Sequence, residues 1–89
     1  MIDLNKNYDS VLDSQKHTKD SRDTLSKNYK HVVSVIKEQV RKGETANYKI
    51  GKALHGIKIE RKDIVRILEF LGYDYGSIGA IIKYKNKKV

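Results

Sequence analysis

The chain has 89 residues, enough for one domain with a small core, and 38% of them are apolar. It has no cysteine, which excludes disulfide staples, thiolate nucleophiles and cysteine-ligated zinc. Nineteen Lys and Arg against eleven Asp and Glu give a net charge of +8, and a small domain so charged points to a polyanionic partner.

The charge is unevenly placed. Residues 1–24 carry four Lys/Arg against five Asp, whereas residues 25–89 carry fifteen against six Asp/Glu. This divides the chain into an N-terminal arm, residues 1–24, and a domain with a basic tail, residues 25–89. The plain alternative for the charge is a lysine-rich composition with no polyanion behind it. No run approaches the ~20 apolar residues of a membrane span, and the opening MIDLNKNYD has acids where a secretory signal has an apolar stretch. A cytoplasmic protein with no membrane contact is expected.

Within the arm, Leu4, Tyr8, Val11 and Leu12 recur at helical spacing, and so short a helix needs something to pack on. They are the candidate contacts of a homodimer. Residues 13–24, DSQKHTKDSRDT, have no apolar side chain and predict a linker, because Ser, Thr and Asp draw the backbone out of helix. The solvated face of a helix is the alternative.

From Ser26, a good N-cap, a helix is predicted to about Lys42. Leu25, Tyr29, Val32, Val33, Ile36 and Val40 form its apolar stripe, and Gly43 closes it. A second helix starts at Thr45 as N-cap and turns Ile50, Ala53 and Leu54 inward. His55-Gly56-Ile57 supplies a stop and an apolar plug. A third helix runs from Glu60 or Arg61 to Leu71, with Ile64, Ile67, Leu68 and Leu71 on one face and Gly72 as C-cap. The tail, GYDYGSIGAIIKYKNKKV, is rich in strand formers and predicts a β-hairpin, strands 73–75 and 80–85 around a turn at 76–79. Ile78, Ile81 and Ile82 also fit helical spacing, so a last helix over 77–84 is the alternative.

The run Ile50-Gly51-Lys52-Ala53-Leu54-His55-Gly56-Ile57 resembles the helix-turn-helix of DNA-binding domains. Gly51 would let two helices approach, and Leu54, Ile57, Ile64 and Ile67 would be the buried contacts. His55 adds a residue before Gly56, and the turn into the next helix is longer than in the tight form. With a hairpin after the third helix, the resemblance extends to winged helix-turn-helix domains, over roughly residues 25–86. The implied fold is mainly α: three core helices and a C-terminal wing, preceded by an arm or short helix.

That resemblance implies sequence-specific binding of double-stranded DNA by site occupancy. The chain would be a transcriptional regulator, first of all a repressor, or an accessory protein of a mobile element such as a phage or plasmid, and it would act as a homodimer. The third helix and the turn before it would enter the major groove with Lys58, Arg61, Lys62 and Arg66, since Arg can bond guanine O6 and N7 together. The second helix would lie on the DNA backbone, with Thr45, Asn47, Tyr48, Lys49 and Lys52 near phosphates. Wing and tail would add Lys83, Lys85, Lys87 and Lys88. The same cations could instead form a solvated face laced with ion pairs, and Tyr48 could be a partly buried core residue.

An enzyme is not expected. The sequence has no phosphate-binding glycine loop, no HExxH and no paired acids, and His17, His31 and His55 are scattered, so no metal or other cofactor is implied. Two further readings stay open. One is an inhibitor that binds a protein, such as a nucleic-acid enzyme, through a patch of Tyr8, Tyr73, Tyr75 and Tyr84. The other is RNA binding, with those tyrosines stacked on unpaired bases.

Overall fold

Of the polar stretch expected to be a linker, residues 14–18 do connect two helices, but residues 19–24 open the longest helix of the molecule. In the computed structural model, which describes residues 2–87, five helices follow one another: α1 (Tyr8–Asp13), α2 (Lys19–Arg41), α3 (Asn47–Ala53), α4 (Arg61–Leu71) and α5 (Tyr75–Lys85). Thr18 caps α2 by accepting a 3.1 Å hydrogen bond from the Ser21 amide. Its first turns are polar because they face water. Ser26, expected as the N-cap, lies inside the helix, buried, and donates to Asp9 Oδ1 at 2.7 Å. From Leu25 the stripe turns inward as expected through Tyr29, Val32, Val33 and Ile36. Only its last member departs: Val40 is 49% exposed.

The arm is stitched to the rest of the chain. Asn7 caps α1 through the Asp9 amide, and α1 buries Tyr8 and Leu12. The Tyr8 ring packs 4.8 Å from Tyr29 and 5.0 Å from Phe70. Three hydrogen bonds hold the approach to α1: Tyr29 Oη to the Lys6 carbonyl, Lys6 Nζ to the Phe70 carbonyl, and the Asp3 amide to the Leu71 carbonyl. The apolar face expected to meet a second copy is thus used within the chain. Tyr8 and Leu12 are buried, and Leu4 and Val11 are half-buried against the same core.

Burial raises the phenol pKa of Tyr8, Tyr29 and Tyr73, with the Arg66 charge partly opposing it at Tyr8. A phenol whose folded pKa is raised stabilises the fold fully below the ordinary tyrosine range near pH 10, and that contribution fades as pH rises through the raised value. The urea midpoint is therefore expected to fall above about pH 10. The fall should be shallower in Tyr29→Phe, and equal slopes in the two proteins would refute the assignment.

The expected wing is absent: among the described residues there is no strand, and the tail is α5. Gly76 and Gly79, read as turn residues, sit inside the helix. Asp74 nucleates it by accepting from the Ser77 amide at 2.7 Å, and Ile78, Ile81 and Ile82 then fall on one buried face. A hairpin would have split that face between two sides of a ribbon. A winged helix-turn-helix is therefore not this fold, which is all-helical. The three helix stops expected at glycine do hold, with left-handed φ at Gly43, Gly56 and Gly72.

Helix α3 packs chiefly along α5, with α2 on another side, rather than against α4. Gly51 explains how. A Cβ there would stand 2.6 Å from the Ile81 carbonyl oxygen and 2.7 Å from Tyr84 Cβ, so the two backbones meet where Gly51 has no side chain. The close approach expected of Gly51 is real, but its partner is α5.

Candidate nucleic-acid interface

The α3–α5 contact brings together two groups of residues that lie far apart in the sequence. Tyr48, 43% exposed on α3, meets Tyr84 of α5 with ring centroids 6.0 Å apart at 60°. Lys52 Nζ lies 5.8 Å from the Tyr48 centroid and Lys87 Nζ lies 5.5 Å from that of Tyr84. The result is a band, Lys52–Tyr48–Tyr84–Lys87, joining the expected backbone-contact helix to the expected tail. Lys49 lines the same side as Tyr48 and Lys52, although its Nζ is 3.7 Å from Glu44. Asn47 opens α3 and Thr45 is exposed before it, but the N-cap is Ala46, with no side-chain cap bond. With seven residues, α3 has too few aligned peptides to act as an anion-binding terminus.

Lys85, expected on the wing, is turned inward and only 8% exposed. Its ammonium donates to the Ile57 carbonyl at 2.9 Å, while His55 Nδ1 and the Lys85 carbonyl are 2.8 Å apart. These bonds tie the turn after α3 to the end of α5. Lys85 is thus a strut and not a phosphate contact. Lys83 and Lys87 are exposed, and Lys88 lies outside the described residues.

At the start of α4, Lys58, Arg61, Lys62 and Arg66 are all exposed, but their surroundings are mixed in sign. Lys62 Nζ sits 3.4 Å from Glu60, an exposed pair of little energetic weight. Lys62 and Arg66 share a shallow depression with Glu60, Asp63 and Asp20, and Arg66 also lines a groove with Tyr8 and Phe70. Among the described residues, Lys52, Lys58, Arg61, Arg66, Lys83 and Lys87 have no carboxylate at ion-pair distance.

The tyrosines do not form one patch. Tyr8 is core, Tyr73 is half-buried, and Tyr75, 75% exposed, lies nine residues from Tyr84. That is about 13 Å along α5. Helical spacing relates only residues of one element, so nothing in the sequence pairs Tyr84 with Tyr48.

Comparison with known proteins finds no match. No family model fits the chain, and neither the curated proteins nor the solved structures include a significant relative. Among the described residues no helix is long and apolar enough to cross a membrane.

Proposed function

We propose that this chain binds double-stranded DNA and acts by occupying its site, as a transcriptional regulator, a repressor first of all, or as an accessory protein of a mobile element. It works without catalysis, in the cytoplasm. The observation that carries this reading is the Lys52–Tyr48–Tyr84–Lys87 band, two cations held over rings on adjacent helices, with Lys49 beside them. Such a band suits a phosphate backbone, where ammonium groups displace condensed counterions. The rings are less suited to stacking on unpaired bases, because Tyr48 and Tyr84 already contact each other and each has a lysine over it. A protein-binding tyrosine patch is not assembled, since Tyr8 is buried, Tyr73 is half-buried and Tyr75 stands about 13 Å along α5 from Tyr84. Binding as a pair to two half-sites belongs to the proposal, but its contact would have to lie outside α1.

Fluorescence anisotropy with duplex DNA, titrated at several salt concentrations, provides the test. The wild-type affinity should fall linearly on a log–log plot against salt. In Lys52→Gln/Lys87→Gln the slope should drop by about two and the affinity by roughly tenfold. Binding to duplex that ignores salt, or a preference for unpaired RNA, would refute the reading.

A further inference from the structure

The helix-turn-helix resemblance assigns the reading of DNA to α4. Three observations favour its successor. The first is the turn. Helices α4 and α5, eleven residues each, are joined by only Gly72, Tyr73 and Asp74. Gly72 is left-handed at φ 110, the Tyr73 amide closes back on the Leu68 carbonyl, and Asp74 caps the helix that follows. Two helices about a three-residue glycine turn is the general helix-turn-helix arrangement, in which the second helix enters the groove. The link from α3 to α4 takes seven residues, 54–60.

The second is the free face. α5 seats Ile78, Ile81, Ile82 and Lys85 in the interior, leaving Tyr75, Gly76, Gly79 and Lys83 exposed, with Asn86 at the cap. At 3.6 residues per turn these five fall within an arc of about 100°. The arc offers a phenol, an ammonium and an amide, donors suited to base edges. A Cβ at Gly79 would meet nothing within 4 Å, so this backbone can come close to a partner.

The third is charge. From Tyr75 to Lys87 there is no Asp or Glu, and the Asp74 carboxylate is engaged with the Ser77 amide. On α4, by contrast, Glu60, Asp63 and Glu69 flank the cations, and Asp20 of α2 shares their depression. Carboxylates beside a reading helix are repelled by the phosphates that line a groove. Tyr84 near the end of α5, and Lys87 just beyond the helix, belong to the band proposed to meet phosphates.

Resting on the DNA-binding reading, we infer that α5, not α4, enters the major groove and reads base edges through Tyr75, Lys83 and Asn86. Arg61 and Lys62 then serve as phosphate contacts, which hold the protein on DNA without choosing a sequence.

The test is selection from random-sequence duplex DNA with four proteins: wild type, Arg61→Ala/Lys62→Ala, Tyr75→Ala/Lys83→Ala, and Gly79→Gln. Gly79→Gln enters open space at a helical site, so it should melt no lower than wild type and serves as the control for folding. The wild type should enrich a motif. The α4 variant should keep that motif with roughly tenfold weaker affinity, whereas both α5 variants should lose the motif but keep salt-dependent binding. A motif retained by the α5 variants, or lost only in the α4 variant, would overturn the inference and leave DNA binding standing. Wild-type binding with no motif would do the same. A wild type that binds no duplex at all would overturn the DNA reading itself.

Discussion

Replacing Gly51 by alanine is expected to destabilise the protein by about 2 kcal/mol, although alanine is the better helix former by about 1 kcal/mol. The added methyl would stand 2.6 Å from the Ile81 carbonyl oxygen and 2.7 Å from Tyr84 Cβ, both fixed to the α5 backbone. Neither can swing aside as a side-chain tip would, so α3 and α5 must separate along their contact. In a domain of this size each kcal/mol moves the melting midpoint by about 4–8 °C, so a drop of roughly 10 °C is expected by circular dichroism. The same change at Gly79 meets empty space and should raise the midpoint. The two variants differ only in position, and equal or reversed shifts would refute the α3–α5 packing. The Tyr48–Tyr84 band should suffer with Gly51→Ala, because its two halves stand on the helices being pushed apart.

Truncating Leu12 tests the N-terminal segment. The side chain is 1% exposed and belongs to the core cluster with Tyr8, Tyr29 and Ile64. Leu12→Ala is expected to cost about 2–5 kcal/mol, from the lost burial and the cavity left behind. Small domains are stable by about 5–15 kcal/mol, so this is a large share of the total. The measurement pairs urea unfolding with sedimentation. Stability should fall while the oligomeric state of the folded protein stays as in wild type. If dissociation into monomers accompanied little loss of stability, Leu12 would be an intersubunit contact and not a core residue.

Much of the local architecture was legible in the sequence. The stripes of α2 and α4 follow from helical periodicity, and three glycines end helices because only a residue without Cβ takes left-handed φ without strain. Composition predicts a linker up to Thr24, yet only residues 14–18 form one, because Ser, Thr and Asp disfavour a helix in isolation but not one held by tertiary packing. Thr18 supplies the cap, and the helix continues into a well-packed stripe that outweighs weak propensity. The tail departs from its expected hairpin for a related reason. Tyr and Ile favour strands on average, but that preference is mostly a matter of fitting a half-buried surface, and α3 offers the tail a helical seat.

The candidate interface divides the same way. The basic excess, the absence of cysteine chemistry and the supply of Lys and Arg around α3, α4 and the tail are legible from composition, which does not depend on folding. Which of those cations face solvent, and in whose company, follows from the packing of the helices. Lys85 turns inward to the Ile57 carbonyl, Tyr84 meets Tyr48, and the arm closes over Phe70. Each is a contact between residues at least 28 positions apart, formed because packing α3 on α5 and α1 on α2 selects which faces are covered. Periodicity can report that a face is apolar, but not which neighbour will cover it.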